Sequence, residues 1–337
     1  MKSITLAAGV IGLGLTVWML EQFGACSILD LVMAGGWGLA AAICFHAVQV
    51  ALSAQAWRIM SNGPDGAAVP SLRDYSLLRC VREGINNLLP VAQVGGEVLS
   101  TRLLARRGLG GRRAAAATIC DLTMELFSQA LFTVAGLGLL LFLVKRSTVT
   151  DRLVESAAVL LAVGICVVAS QWLGAVAVAE KLMVRIAGHL GWNGANGIRG
   201  LHGEVMALYK TDHNAVTCLT LQFFAWILGA VEVCLLLHAM GHGCSLAQGF
   251  VIEGVGQAAK SAGFAVPGAL GVSEGGYIMV GSLFGMPPSV ALALSLLKRL
   301  REIAWGVPSL ILWQWLEHSW RAEARTAEKS PLPTSSL

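Results

Sequence analysis

Two segments of the sequence place a proline, glycines and a glutamate at equal spacing inside apolar regions. Pro90 precedes Glu97 by seven residues, and Pro267 precedes Glu274 by seven, so one offset along the chain relates both pairs. Because proline removes a helical hydrogen bond and glycine lowers helix propensity, neither segment predicts an ordinary transmembrane helix. Broken backbone at membrane depth needs shielding by protein or by a water-filled cavity. The pair predicts two re-entrant, broken-helix segments whose tips meet near the membrane midplane, where transporters place their sites.

The other residues of this motif are glycines, which let backbone or lipid approach closely. The full set is Pro90, Gly95 and Gly96 in the first segment and Pro267, Gly268, Gly271 and Gly275 in the second. Broken helices present free N–H groups at their half-helix N-termini, and these attract anions such as phosphate. The alternative interpretation is two proline-kinked helix ends with coincidental glutamates.

Ionisable residues inside the apolar segments are the candidates for binding and transport, because each costs at least ~2.5 kcal/mol at a helix centre on insertion scales. The set that we single out is Glu97, Arg102, Asp121, Glu125, Glu274, Lys298, Arg301 and Glu302. Arg301 or Lys298 would bind an anionic headgroup. Glu97 and Glu274 would act as counter-charges or proton carriers. The alternative is that these charges form structural ion pairs joining two repeats.

Asp121 and Glu125 are four residues apart and therefore share one face of a helix. Carboxylates on a shared face must line a cavity or meet cations. The segment 296–302, LLKRLRE, is the natural source of those cations, and Lys298 and Arg301 share a face of it. We therefore expect Asp121 and Glu125 to pair with the last span.

Other kinds of site find no support in the sequence. No nucleophile motif and no P-loop is present, so no catalytic residue is predicted. His238 and His242 are four residues apart but have no third ligand nearby, and we expect no metal and no cofactor. The eight cysteines are scattered without CxxC spacing, which predicts no disulfide framework. No basic run is interleaved with aromatic residues, so nucleic acid is not an expected partner.

The composition is that of a membrane protein. Hydrophobic residues make up 55% of the chain and charged residues 13%, against about 25% charged residues in soluble domains. Apolar runs long enough to cross a bilayer predict six spans, at 4–20, 37–57, 114–144, 153–176, 215–240 and 288–316. The expected fold is all-α, with one polytopic transmembrane domain over 1–320 and a disordered cytoplasmic tail over 321–337.

Lysine and arginine concentrate at 58–113, at 180–214 and in the tail. The positive-inside rule places these regions and both termini in the cytoplasm, with the basic cluster at 145–152 as the exception.

The offset that relates the two proline–glutamate pairs also aligns Glu125 with Glu302. The predicted repeat halves are 37–144 and 215–317, each with one re-entrant segment between two spans. A single crossing between the halves inverts the second relative to the first.

The segment from Pro90 to Glu97, followed by Arg102, and the later segment from Pro267 to Gly275 resemble the membrane domain of lysylphosphatidylglycerol synthases and their stand-alone, flippase-like relatives. The resemblance covers about residues 5–317. Because no soluble aminoacyltransferase domain is present, the chain looks most like the hopanoid-biosynthesis-associated members. The resemblance implies a multi-pass protein of the bacterial inner membrane that moves a lipid between leaflets.

We therefore expect a transporter and not an enzyme, moving an anionic or hopanoid-type lipid through a polar cavity between the two re-entrant segments. One alternative is a non-catalytic scaffold for a lipid-biosynthesis complex, whose partners would be the enzymes of that complex. Another is a membrane-embedded enzyme that modifies a headgroup, which would need a metal or a nucleophile.

Overall fold

The computed structural model describes residues 21–89, 95–143, 200–211, 213–263 and 266–329, with isolated residues at 14, at 17–19 and between 155 and 181. The predicted spans at 4–20 and 153–176 lie almost entirely outside the described residues. Pro90 and the basic cluster at 145–152 also lie outside them.

All regular structure in the described residues is helical, which confirms the all-α prediction. The helices are α1 (Ala25–Ala34), α2 (Gly36–Met60), α3 (Leu72–Leu88), α4 (Gly95–Leu104), α5 (Gly111–Leu143), α6 (Leu201–Lys210), α7 (Asn214–Ala239), α8 (Leu246–Ala262), α9 (Val272–Leu283) and α10 (Pro288–Lys329). A π-helical turn, Ala105–Leu109, follows α4, and a 3₁₀ turn, Pro267–Ala269, precedes α9.

Three of these helices, α2, α5 and α7, are long and apolar enough to cross a membrane. At about 1.5 Å per residue, even the shortest exceeds the ~30 Å of a hydrocarbon core. They coincide with the spans predicted at 37–57, 114–144 and 215–240, in agreement with a polytopic membrane protein. The span predicted at 288–316 is the first part of α10. That helix continues to Lys329, into the stretch assigned to the tail from the sequence.

The helices fall into two halves of the same order, in which a long helix, two short helices and a second long helix follow one another. Helices α2 to α5 form the first half, and α7 to α10 form the second. The starts of α4 and α9 and the starts of α5 and α10 are separated by the same offset that relates Glu97 to Glu274. Both short pairs also begin alike, because a capping box opens α3 at Ser71 and Asp74 and opens α8 at Ser245 and Gln248.

The equivalent helices α2 and α7 pack side by side in opposite directions. Gly38, at the start of α2, touches Ala239 at the end of α7 so closely that a Cβ on Gly38 would lie 2.4 Å from the alanine Cβ. At the other end, Asn214 of α7 donates to the carbonyl of Asn62, just after α2, at 2.9 Å. The second half is therefore inverted relative to the first.

The remaining helix contacts follow the same approximate two-fold relation. Helix α3 packs against α10, and the equivalent α8 packs against α5. Likewise α2 packs against α3, as α7 does against α8. The two-fold rotation places α2 on α7 and α7 on α2. Since these two helices run antiparallel, the rotation axis is perpendicular to both. An axis in this direction is the relation expected between repeats of inverted topology.

The two helices of each short pair pack against each other as a hairpin, and the first helix of each pair ends at Leu88 and at Ala262. Gly96 lies where α4 approaches α3 closely, since a Cβ there would be 2.4 Å from the carbonyl oxygen of Arg82. Gly271, the N-cap of α9, has a φ of 80°, which glycine adopts at little cost. These two motif glycines permit the break and the close return of the chain.

Two hydrophobic cores occupy opposite ends of the bundle. One joins the end of α2 to the starts of α5 and α7, with Trp57 and Cys218 among its buried members. The other joins the ends of α5 and α7 to the start of α10, with Leu140 and Leu236 buried in it. The middle turns of the same long helices carry buried polar and charged residues. A charged layer therefore lies at mid-height between two apolar cores.

Candidate functional site

A cavity of about 280 Å³ lies between the two halves at the level of the charged layer. Side chains from seven of the described helices line it, namely α2, α3, α4, α5, α7, α8 and α10. Its ionisable lining consists of the cations Arg79, Arg82, Lys260 and Arg301, the carboxylates Glu83, Glu97, Glu125, Glu253 and Glu302, and the imidazole of His46. Most of these charges are paired with one another.

Arg82 is the centre of the charges in the first half and is almost completely buried. Its Nε donates to Glu97 at 3.0 Å, its Nη1 to Asp121 at 2.7 Å and its Nη2 to Glu125 at 3.0 Å. The planar fork of a guanidinium suits such multiple pairing. One arginine of α3 thus holds carboxylates from both α4 and α5.

Arg79 lies one turn earlier on α3 and strengthens the same cluster. Its Nη1 donates to Glu125 at 3.0 Å, and its Nε donates to Glu83 at 3.0 Å. The nearest oxygen of Asp121 is 3.6 Å from Nη1. The expectation that segment 296–302 provides the cations for the carboxylates of α5 is therefore wrong, because α3 provides them.

The sequence contains a signal for this arrangement. Arg79, Arg82, Glu83 and Asn86 recur at spacings of three and four residues, which places them on one helical face. The prediction that 58–113 is a cytoplasmic, arginine-rich region rests on the number of arginines and not on this helical spacing. A buried, charged face on a short helix is expensive in an apolar environment unless it meets opposite charges, as it does here.

The second half carries most of its cations on α10. Arg301 donates from Nη1 to both carboxylate oxygens of Glu232 on α7, at 2.8 and 2.6 Å. Lys298 donates to Glu253 on α8. Asp121 and Lys298 thus do not pair with each other, because each meets an opposite charge within its own half.

Lys260 is the cation that the second hairpin contributes to the cavity. Its Nζ donates to Glu302 at 2.6 Å and to the side-chain oxygen of Asn87 at 3.1 Å. Because Asn87 is the second-last residue of α3, this contact joins the two hairpins directly across the cavity.

His46 and Gln49 on α2 form a second connection between the halves. His46 Nε2 lies 3.0 Å from Glu83, and Nδ1 lies 3.0 Å from the side-chain oxygen of Gln49. The amide nitrogen of Gln49 donates to Glu232 at 3.0 Å. A chain of contacts therefore runs from Glu83 of the first half through His46 and Gln49 to Glu232 of the second half.

Glu274, which the sequence pairs with Glu97, lies apart from the lining of this cavity. It is completely buried and accepts a hydrogen bond at 2.7 Å from the backbone N–H of Gly271, capping α9. Its other oxygen accepts from Arg299 at 2.7 Å, and Arg299 also donates to the Gly268 carbonyl at 3.0 Å. The geometry is that of a helix cap locked by an ion pair.

The predicted residues therefore divide into three groups. Glu97, Glu125, Arg301 and Glu302 line the cavity. Asp121 and Lys298 are buried directly behind its wall. Arg102 and Glu274 lie elsewhere, since the side chain of Arg102 is about half exposed and donates to Glu317 at 3.0 Å.

Two properties decide what this site can do. In the described part of the chain, no group of three or more His, Cys, Asp and Glu side chains is placed to hold a metal ion. The site instead offers guanidinium, ammonium, carboxylate and amide groups in exchangeable pairs, so a polar ligand can replace one partner of a pair with another. That chemistry suits reversible binding of a charged, hydrogen-bonding group.

Residues 5–308 match the family described as lysylphosphatidylglycerol synthase TM region. Since the match covers most of the chain, the chain belongs to this family. Neither the curated proteins nor the solved structures contain a match to the sequence. Family membership and the apolar helices together identify a multi-pass membrane protein with a role connected to lipids.

Proposed function

We propose that this family member is a lipid transporter of the bacterial inner membrane that passes a lipid headgroup through the cavity between its two inverted halves. The observation that supports it is the position of the cavity, which is polar, lies at mid-height and is lined from both halves. Charged groups at that depth cost several kcal/mol each unless they face a cavity or each other. A headgroup crossing the membrane needs such a polar place halfway.

The size of the cavity limits what enters it. A volume of about 280 Å³ lies at the lower end of the roughly 300–1,000 Å³ typical of ligand pockets. It accommodates a headgroup but not acyl chains or a fused-ring body. The apolar part of the lipid would therefore remain in the bilayer while the headgroup moves, whether the substrate is an anionic phospholipid or a hopanoid-type lipid.

The paired arginines of α3 are the strongest binding groups for an anionic headgroup. Arg79 and Arg82 both donate to Glu125, whose side chain is 19% exposed toward the cavity. Guanidinium groups bind phosphate with the same two-pronged geometry as carboxylate. A headgroup phosphate would take the position of Glu125 between the two arginines, and the released carboxylate would accept hydrogen bonds from headgroup hydroxyl or amine groups.

The inverted repeat suggests how the headgroup leaves on the other side. If the two halves exchange conformations, an opening on one face of the membrane becomes an opening on the other. The contacts that join the halves across the cavity, Lys260 with Asn87 and Gln49 with Glu232, would have to rearrange in that exchange. Proton transfer at Glu97, which binds Arg82, or at His46, which contacts Gln49, would loosen the cavity wall beside these contacts and couple the exchange to a proton gradient.

The proposal is tested by lipid flipping in proteoliposomes that contain the purified protein and labelled phospholipid or hopanoid-type lipid. Arg79→Gln is expected to reduce the rate at least tenfold. Arg102→Gln is the matched control, since it removes a half-exposed arginine of the same half that lies outside the cavity, and it should leave the rate unchanged. A monodisperse wild-type protein that moves none of these lipids would refute the transport proposal and favour a scaffold role.

The proton-coupling step has its own test. Flipping is measured with the interior and exterior of the vesicles at equal or unequal pH. Dependence of the rate on the gradient, reduced in Glu97→Gln or His46→Gln, would support coupling through these groups. A rate that does not depend on either pH would rule the coupling out while leaving transport itself in place.

A further inference from the structure

The corner between α7 and α8 brings two thiols together. Cys234 lies in the last turns of α7, and Cys244 lies in the short connection just before α8. Their sulfur atoms are 3.0 Å apart, and both side chains are partly exposed. All eight cysteines of the chain are free thiols in this structure.

The backbone holds the two sulfurs in place. Each Sγ lies 3.3 Å from the same acceptor, the carbonyl oxygen of Ser245. Ser245 is itself fixed, because it forms the capping box of α8 with Gln248. A disulfide requires a separation of about 2.05 Å, so a shift of roughly 1 Å shared between two side chains closes it.

The helices also approach closely beneath the thiols. A Cβ on Gly249 would lie 2.4 Å from Cys234 Sγ and 2.7 Å from the carbonyl oxygen of Ala230. The first turn of α8 therefore lies directly on α7 because residue 249 has no side chain. The pair of thiols sits on a rigid junction of two helices and not on a long loop.

The orientation that the sequence predicts is the second argument. The end of α7 lies beside Gly38 at the start of α2. The arginine-rich region 58–113 begins at the opposite end of α2, and the positive-inside rule places that end in the cytoplasm. The thiol corner then lies on the side of the membrane opposite the cytoplasm. On that oxidising side disulfides form and persist.

We propose that Cys234 and Cys244 form a disulfide that fixes the start of α8 to the end of α7. The reaction is thiol–disulfide exchange with a disulfide-bearing oxidant. The thiolate of one cysteine attacks the oxidant and releases one thiol, and the second cysteine attacks the mixed disulfide and releases the other. Two thiols of the chain become one disulfide, the oxidant becomes two thiols, and no further electron acceptor is needed.

The corresponding corner of the first half is held by different chemistry. There Arg58, in the last turn of α2, donates from Nε to the carbonyl of Pro70, just before α3, at 3.1 Å. An arginine suits a corner on the cytoplasmic side, and a cysteine pair suits one on the oxidising side. The sequence predicts no disulfide framework, because spacing alone does not reveal that residues 234 and 244 meet across a helix junction.

The test counts reactive thiols in the full-length protein purified without reductant. Protein treated with oxidised glutathione and protein treated with dithiothreitol are unfolded and labelled with a maleimide of high mass. The oxidised protein should carry two fewer labels than the reduced one, and mass spectrometry should find the peptides of Cys234 and Cys244 joined. Equal label numbers, or joining of other cysteines, would overturn the proposal.

Single variants keep the assignment falsifiable. In Cys234→Ser the oxidised protein should gain one reactive thiol relative to oxidised wild type, at Cys244, and Cys244→Ser should behave reciprocally. Cys26→Ser, a control on an exposed cysteine, should leave the loss of two labels intact. If Cys26→Ser abolished that loss, the disulfide would have been assigned to the wrong pair.

The sidedness rests on the orientation that the positive-inside rule predicts, and it is measured separately. After reduction, a membrane-impermeant maleimide applied to intact spheroplasts should label Cys244. Labelling only after permeabilisation would overturn the location of the pair. The thiol count does not depend on lipid flipping, so failure of the disulfide and failure of the transport proposal are distinguishable.

Discussion

The two hairpins carry a glutamate at the same position of the repeat and use it differently. Glu97 and Glu274 each lie in the first turn of the second hairpin helix, and each binds an arginine. The arginine of Glu97 comes from its own hairpin, and the carboxylate lines the cavity. The arginine of Glu274 comes from α10, and the carboxylate is sealed inside the protein.

The helix crossings differ in the same way. Where α3 crosses α10, Gly84 meets Gly306, and a Cβ on Gly84 would lie 3.0 Å from the carbonyl oxygen of Gly306. At the equivalent crossing of α8 with α5, Gln129 donates to Ser261 at 2.9 Å. One crossing is closed by direct backbone contact, and the other is held by a hydrogen bond beside the cavity. The two-fold relation therefore holds for the backbone but not for the side chains, and substrate binding need not be shared equally by the two halves.

The largest expected effect comes from Arg82, because the second hairpin contains no arginine. Arg82→Met leaves Glu97 without a cation and weakens the pairing of Asp121 and Glu125, so we expect a loss of about 3–5 kcal/mol of stability. Thermal unfolding in detergent measures it. Adding Asp121→Asn should restore part of the loss, because one of the orphaned charges is then removed.

Arg299→Met provides the comparison in the second half. Arg299 holds a single carboxylate and its side chain is 19% exposed, so the expected loss is smaller, about 1–3 kcal/mol. If Arg299→Met destabilised the protein as much as Arg82→Met, the additional ion pairs of Arg82 would contribute no extra stability.

Neutralising the two equivalent glutamates should separate transport from stability. Glu274→Gln breaks a buried ion pair and weakens the cap of α9, and we expect it to cost roughly 2–3 kcal/mol. Glu97 faces the cavity, where water or a headgroup replaces the lost hydrogen bonds. Glu97→Gln should therefore mainly reduce the flipping rate. The measurements are the unfolding midpoint and the flipping rate of both variants. Equal losses of both quantities in both variants would show that the two hairpins are functionally equivalent.

The helix crossings give a smaller contrast. Gly84→Ala adds a methyl group against backbone that has little room to move, with an expected cost of about 1–3 kcal/mol. Ser261→Ala removes one hydrogen bond at the equivalent place, worth about 1 kcal/mol. Unfolding midpoints should therefore fall further for Gly84→Ala. The reverse order would mean that the α3–α10 crossing is looser than the contact distance suggests.

The smallest effect is expected at the corner of the first half. Arg113 donates to both carboxylate oxygens of Asp65 at 2.7 Å and lowers the pKa of Asp65 below its usual value. A lowered pKa contributes stability above the unfolded-state pKa of about 4, and this is lost as the pH falls through the folded-state value. Asp65→Asn should slightly lower the unfolding midpoint at pH 7, and the difference from wild type should shrink at pH 3. A constant difference would exclude the ion pair as its cause.

The sequence alone determined the class of the protein and the plan of its backbone. Apolar runs predict the long helices because a helix satisfies every backbone group in lipid. Proline and glycine at a fixed offset predict the two interrupted hairpins, because these residues cannot continue a helix at no cost. The equal spacing of Pro90 to Glu97 and Pro267 to Glu274 is sufficient to propose the repeat. These signals are local, because each depends on residues that are close together in the sequence.

Only the tertiary structure decided which charges meet. Asp121 and Glu125 find Arg79 and Arg82 on α3, and Lys298 finds Glu253. A sequence position does not say which face of a helix meets which neighbour, and a two-fold relation of the backbone does not transfer to side chains that differ between the halves. Ion pairing depends on distances of a few ångström between segments far apart in sequence, so the partners, the cavity and the thiol junction became visible only once the helices were packed.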